Sequence, residues 1–176
     1  MKRMTYDATA QLGVPVTLID AVSEDGDGAI EIPRLDMLLA TVAVARALDP
    51  ARMVGAELRF LRHVLDCTGS EFAAALDLSD KAVVSRWEND ATRPGPYTEK
   101  VIRQLALNLL ARRAPGVEIG ENAIPGMKIR PRGEALPMTF ALRTRHASDG
   151  RARRCYVPVP AGPTAPESMV AASVEA

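Results

Sequence analysis

Thr68-Gly69-Ser70-Glu71-Phe72-Ala73-Ala74-Ala75-Leu76, followed by Leu78-Ser79 and then by Val84-Ser85-Arg86-Trp87-Glu88-Asn89, is the stretch that decides the fold. Thr68 with Glu71 three residues on spells a capping box. The hydroxyl accepts from the Glu71 amide, and the carboxylate returns to the Thr68 amide. A helix is therefore predicted over 69–77. Ser79 is placed as the N-cap of the next helix, over about 80–89. The result is two short helices joined by a tight turn, the second with polar and basic groups on its open face. That geometry lays a helix into the major groove of DNA.

Working outward, Leu58, Leu61 and Leu65 form one stripe of a preceding helix over 51–66. Before it, Leu35, Leu38, Leu39, Val42 and Leu48 predict a helix over 34–48, with Pro33 in its first turn and Asp49-Pro50 interrupting it. On the other side, 92–96 is a turn. Val101, Ile102, Leu105, Leu109 and Leu110 make 97–113 a longer amphipathic helix, whose closing Arg112 and Arg113 suit the helix dipole. Residues 1–13 show little periodicity and are expected to be loose. Residues 14–19 and 29–32 are β-prone and flank the acidic turn Ser23-Glu24-Asp25-Gly26-Asp27-Gly28, a small hairpin. Beyond Gly116, strands are expected over 127–130, 138–145 and 155–159, with Asp149-Gly150 in the last turn. The patternless 161–176 is expected to be a disordered tail.

The chain of 176 residues is 47% hydrophobic and only 4% aromatic, which suits an aliphatic core of packed helices. Its net charge of zero argues against a general polyanion binder. The charge is nevertheless unevenly placed: residues 1–50 carry four basic and eight acidic groups, and residues 116–160 carry eight and four. Cys67 and Cys155 form no CxxC pair and fit a reducing cytoplasm. No apolar run approaches a signal peptide or the roughly 20 residues of a membrane span.

Gly55-Ala56-Glu57-Leu58-Arg59-Phe60-Leu61-Arg62 before the helix pair, and Ser85-Arg86-Trp87-Glu88-Asn89 within it, resemble a Cro/repressor-type (XRE) helix-turn-helix regulator. The likeness is to the C-terminal domain of MqsA/YgiT-type antitoxins, and it covers residues 29–113. It implies that Arg62 and Glu88 form a partly buried, structural ion pair. Trp87 has a packing reading that outweighs base contact. Two departures stand out: Gly69 occupies a position that is often Gln in the family, and the segment between Ser79 and Ser85 is one residue longer than the family's usual spacing. The zinc module of those antitoxins has no counterpart, because Glu24-Asp25-Gly26-Asp27-Gly28 replaces its cysteines and His63, His146 and two distant Cys make no tetrahedral set. An acidic calcium loop of Asp25, Asp27 and Glu31 lacks EF-hand spacing, so a solvated hairpin tip is preferred. No cofactor is expected. No phosphate loop or nucleophile motif suggests an enzyme.

The residues assigned to DNA are these. Ser79, Asp80 and Lys81 sit at the base-reading end of the second helix, with Val84, Ser85, Arg86 and Asn89 on its later turns. Arg and Lys suit guanine edges and Asn suits adenine. Thr68, Gly69 and Ser70 open the first helix toward a phosphate, and Arg93 and Lys100 add backbone contacts. The bland alternative is a plain helical packing unit on which Ser85, Arg86 and Asn89 merely face water. Arg143, Arg145, Arg151, Arg153 and Arg154, near His146, form either a solvated face, an arm for DNA, or a dimerisation hairpin through Phe140, Leu142, Tyr156 and Val157. The 34–48 helix is the other expected source of a dimer interface.

The expected fold is mainly α: a five-helix Cro/repressor-like helix-turn-helix domain with small β-hairpin additions at the N- and C-terminal sides. Its expected parts are 1–50, 51–115, 116–160 and the tail. The expected function is a cytoplasmic transcriptional repressor that binds double-stranded DNA as a homodimer on a palindromic operator, with an autoregulating antitoxin as the narrower form. A toxin-neutralising or adaptor module, using the helix pair as scaffold, is the competing class.

Overall fold

The N-terminal residues, read from sequence as loose, build one side of a sheet. In the computed structural model, which describes residues 4–24, 26, 28–133, 137–146 and 151–160, strand β1 (Thr5–Asp7) is followed by a single helical turn, α1 (Thr9–Leu12), and by β2 (Val16–Ile19). Ala8, Leu12, Val14, Val16 and Leu18 are all buried. The tail 161–176, the Asp149-Gly150 turn, and Asp25 and Asp27 of the acidic loop lie outside the described residues.

The expected mainly α fold is corrected by what β2 does next. β2 pairs antiparallel with β1 on one edge and parallel with β5 (Met138–His146) on the other, from Val16↔Met138 to Ile19↔Ala141. β5 then pairs antiparallel with β6 (Ala152–Val159), giving a four-stranded mixed sheet of order β1-β2-β5-β6. The molecule is therefore an α/β fold in which both ends of the described chain meet in one sheet. A parallel pair needs a crossover connection; here it carries every helix after α1. The hairpin expected between 14–19 and 29–32 does not form, because β2 is already paired on both edges. A smaller one joins β3 (Ser23–Glu24) to β4 (Ile30–Glu31). The strand expected over 127–130 reduces to one bridge, Ala51↔Arg130.

The helices follow the apolar periodicity closely: α2 (Leu35–Leu48), α3 (Gly55–Val64), α4 (Gly69–Ala75), α5 (Ala82–Glu88) and α6 (Pro96–Leu110), the last running into a 3-10 turn at Ala111–Arg113. Pro33 lies in the turn before α2 rather than in its first turn, and Pro96 begins α6. α2 is the central element and packs against α3, α6 and β6. Leu38, Ala40, Val42, Ala43, Val44 and Ala47 are all fully buried. Phe140, Leu142 and Tyr156 close the same core from the sheet, and the Tyr156 hydroxyl donates to the Pro33 carbonyl at 2.7 Å. Burial pushes the Tyr156 phenol up to about 12. These residues and the α2 face were the expected material for a dimer interface. Phe140, Leu142, Tyr156 and the buried face of α2 are occupied inside the chain, while Leu35 on α2 stays exposed. Gly116 passes so close to β6 that a Cβ there would sit 1.8 Å from the Tyr156 carbonyl oxygen.

The connection from α2 to α3 is held by charge. Glu99 and Arg103 are fully buried on α6 and paired at 2.7 Å. Arg103 donates to the carbonyls of Ala47 (3.0 Å), Ala51 (2.7 Å) and Asp49, while Glu99 accepts from the Met53 amide at 2.9 Å. Burial lowers the Arg103 pKa against the opposing pull of Glu99. On α3, buried Glu57 accepts from Arg46 and Arg132, each at 2.6 Å, and from the Val54 amide at 3.0 Å. Burial would raise the Glu57 pKa, but these donors outweigh it and hold the carboxyl below its ordinary value. Each such group removed singly would strand its buried partner. Among the described residues, no helix is long and apolar enough to cross a membrane.

Candidate nucleic-acid interface

Three successive helices end in the same device. At the close of α3, α4 and α5, the residues Asp66, Asp77 and Asp90 take left-handed backbone, with φ of 56°, 54° and 55°. In each, the next amide reaches back five residues, as Cys67 to Arg62, Leu78 to Ala73 and Ala91 to Arg86, at 3.1, 2.9 and 3.0 Å. This is a Schellman ending. It turns the chain sharply enough to set α4 and α5 as neighbours, the arrangement predicted from sequence.

The capping box of α4 is formed: the Thr68 amide donates to Glu71 at 2.7 Å, and the Glu71 amide donates to the Thr68 hydroxyl at 3.2 Å. Thr68 and Ser70 are exposed and Gly69 is half-buried. The Glu71 carboxylate is thereby fixed beside these residues, which weakens the predicted phosphate contact. Of Ala73-Ala74-Ala75, only Ala73 is buried, with Phe72, against the neighbouring helices.

α5 starts later than predicted. Ser79 does not cap it; the Asp80 carboxylate, one residue before the Lys81 N-cap, accepts from the Ala82 amide at 2.8 Å. Ser79, Asp80 and Lys81 remain exposed just before the first turn. Val84 and Trp87, three apart, point into the core at 2% and 7% exposure. Val84 is thus corrected from a DNA contact to a packing residue, and Trp87 is the packing residue that was expected. Ser85 and Arg86 occupy the opposite, open face. Asn89 is exposed but engaged. Its amide donates to the Ser85 carbonyl at 2.9 Å, and its oxygen accepts from Arg59 at 2.8 Å.

The ion pair implied by the family resemblance is present. Arg62 Nε and Nη2 meet the two carboxylate oxygens of Glu88 at 2.6 and 3.1 Å, and Nη1 donates to the Cys67 carbonyl at 2.9 Å. Glu88 raises the Arg62 pKa. The pair ties α3 to the end of α5. Gly55 allows this approach, since a Cβ there would lie 2.5 Å from the Glu88 carbonyl oxygen. The Asp90 carboxylate also accepts from the Gly55 amide at 2.9 Å.

Arg93 is exposed in the loop leaving α5. Lys100 is half-buried and donates to the Pro125 carbonyl at 2.9 Å, so its predicted backbone contact competes with a bond within the chain. On the sheet, Arg145 stands directly opposite Arg153, and Arg143 opposite Cys155. His146 ends β5. Among the described residues, no three His, Cys, Asp or Glu side chains gather as a metal site.

What the sequence did not reveal is the buried charge that holds the α2–α3 connection: Arg46, Glu57, Glu99 and Arg103. The available signal was their position. Arg46 lies among Val42, Ala43 and Ala47, and Arg103 follows Ile102, which puts both on apolar helix faces. No family model, no curated protein and no solved structure matches this chain.

Proposed function

We propose that the protein is a sequence-specific DNA-binding repressor whose reading element is α5. One observation carries this. Ser85 and Arg86 on α5, with Lys81 just before its first turn, stand exposed, and the other side of the helix is fixed by Val84 and Trp87 in the core and by Glu88 on Arg62. A reading helix needs that combination of open polar face and rigid seat, because base discrimination depends on side chains held in register with the groove.

The protein acts as a homodimer, since one short helix covers only a few base pairs and a two-fold pair doubles the contacts on a palindrome. An autoregulating antitoxin is the narrower form of this reading, and a toxin is the further partner it would take. No catalytic role and no cofactor belong to it. A nuclease-protection footprint on DNA from the gene's own promoter tests the proposal. Protection of two half-sites about one helical turn apart, abolished in Arg86→Ala, supports it. Uniform, sequence-independent protection that survives Arg86→Ala overturns it.

A further inference from the structure

Residues 129–133 run back over the start of α3 and α6 and place two arginines beside the loop that leaves α5. The Arg130 amide donates to the Pro50 carbonyl at 2.9 Å, and the Arg52 amide donates to the Arg130 carbonyl at 2.9 Å, so the segment is pinned like a short added strand. Arg132 is anchored on Glu57 at 2.6 Å, and Arg52 donates to the Pro94 carbonyl at 2.6 Å. Between them lies a groove of about 540 Å³ lined by Arg52, Arg93, Arg130 and Arg132, with Pro96, the first residue of α6, at its wall.

The charge there is not balanced. Arg46, Arg52, Arg103 and Arg132 share Glu57, Glu99 and the half-exposed Asp49 in the layer beneath. Arg93 and Arg130 are exposed, and no hydrogen bond or ion pair of either side chain occurs among the described residues. Guanidinium groups converging on one concavity, beside a helix N-terminus, match the charge and planar geometry of a phosphate.

We infer that this groove binds a phosphodiester of the DNA backbone beside the half-site read by α5, with Arg93 and Arg130 as the contacting groups and Arg52 and Arg132 as the walls that hold them. This rests on the DNA-binding reading above. It adds a contact supplied by a segment outside the helix-turn-helix, so that the region after α6 takes part in binding.

The test is fluorescence anisotropy of the full chain on a mixed-sequence duplex of about 30 base pairs over a range of salt. Arg130→Gln and Arg93→Gln/Arg130→Gln alter exposed side chains without bonds in the fold, and Arg112→Gln/Arg113→Gln at the far end of α6 is the control for net charge. Removing one phosphate contact should flatten the log-log salt slope by about 0.9 and weaken binding about eightfold at 0.1 M salt. The double groove variant should flatten the slope by about twice as much, and the control should leave it unchanged. Wild-type binding with an unchanged slope in Arg130→Gln overturns the groove and leaves the reading helix standing. An equal change in the control also overturns it, because net charge then explains the effect. A wild-type chain that does not bind the duplex overturns the DNA-binding reading and the groove together.

Discussion

Replacing Glu88 by alanine removes both carboxylate oxygens from Arg62, whose side chain is only 14% exposed. The guanidinium keeps one carbonyl acceptor, Cys67 at 2.9 Å, beside the His63 ring nitrogen at 3.2 Å. It loses a two-point charge-assisted contact in a site that water reaches poorly. Breaking a fully buried pair costs about 3–5 kcal/mol. The remaining acceptor and the residual exposure put this one at the low end, about 3 kcal/mol. For a chain of this length each kcal/mol moves Tm by roughly 2–4 °C, so Glu88→Ala should lower Tm by roughly 6–12 °C. The assay is thermal melting of Glu88→Ala, Arg62→Met and the double variant. The cycle should return a coupling well above the roughly 0.2–1 kcal/mol of an exposed pair. The double variant should be less destabilised than the sum of the singles, because it leaves no buried charge stranded; Arg59, which also loses Glu88 at 3.5 Å, is half-exposed. A Tm for Glu88→Ala within error of wild type, or a coupling in the exposed range, would refute the reasoning that this pair seats α5.

Glu57 titrates below its ordinary value when folded, so its contribution is present above about pH 4.5 and is lost as pH falls through the lower folded pKa. Glu57→Gln should melt lower at pH 7 and show a shallower fall in Tm below pH 4.5, whereas parallel Tm-against-pH curves would show that the carboxylate is not held by Arg46 and Arg132. Asp77 places an L residue in left-handed backbone and a carboxylate at a helix C-terminus, so Asp77→Gly should raise stability by roughly 0.5–1 kcal/mol. A lower Tm for that variant would mean that the aspartate side chain stabilises the turn.

Much of the helical part is legible because its signals are local. Thr68 and Glu71 announce a helix start within four residues, and Leu58 and Leu61 mark a buried stripe by spacing alone. Arg62 and Glu88 come from the family resemblance, and their contact is what that resemblance implies. The sheet is not legible. β2 and β5 are joined by a parallel register whose partners lie some 120 residues apart, and no local pattern in either strand encodes the other. Ala8 and Leu12 give no period because their segment holds a three-residue strand and a single helical turn. Ser79 and Asp80 are both good caps, so composition cannot choose between them. Arg46, Glu57, Glu99 and Arg103 escape notice because a charge on an amphipathic helix is assigned to solvent by default. Their burial depends on each other and on the carbonyls of residues 47–51, which meet only in the folded chain. Val84 is misplaced for a related reason: once α5 starts at Ala82, the inward positions are 84 and 87.

Whether α5 reads DNA through Arg86 is decided by sequencing the fragments that the full chain retains from its own genome. Wild type should enrich one common sequence with two-fold symmetry. Arg86→Ala, with an unchanged melting temperature, should lose that enrichment, since one bidentate base contact discriminates by about 1–3 kcal/mol. Retained fragments with no common sequence, or the same sequence enriched by Arg86→Ala, would contradict that reading of α5.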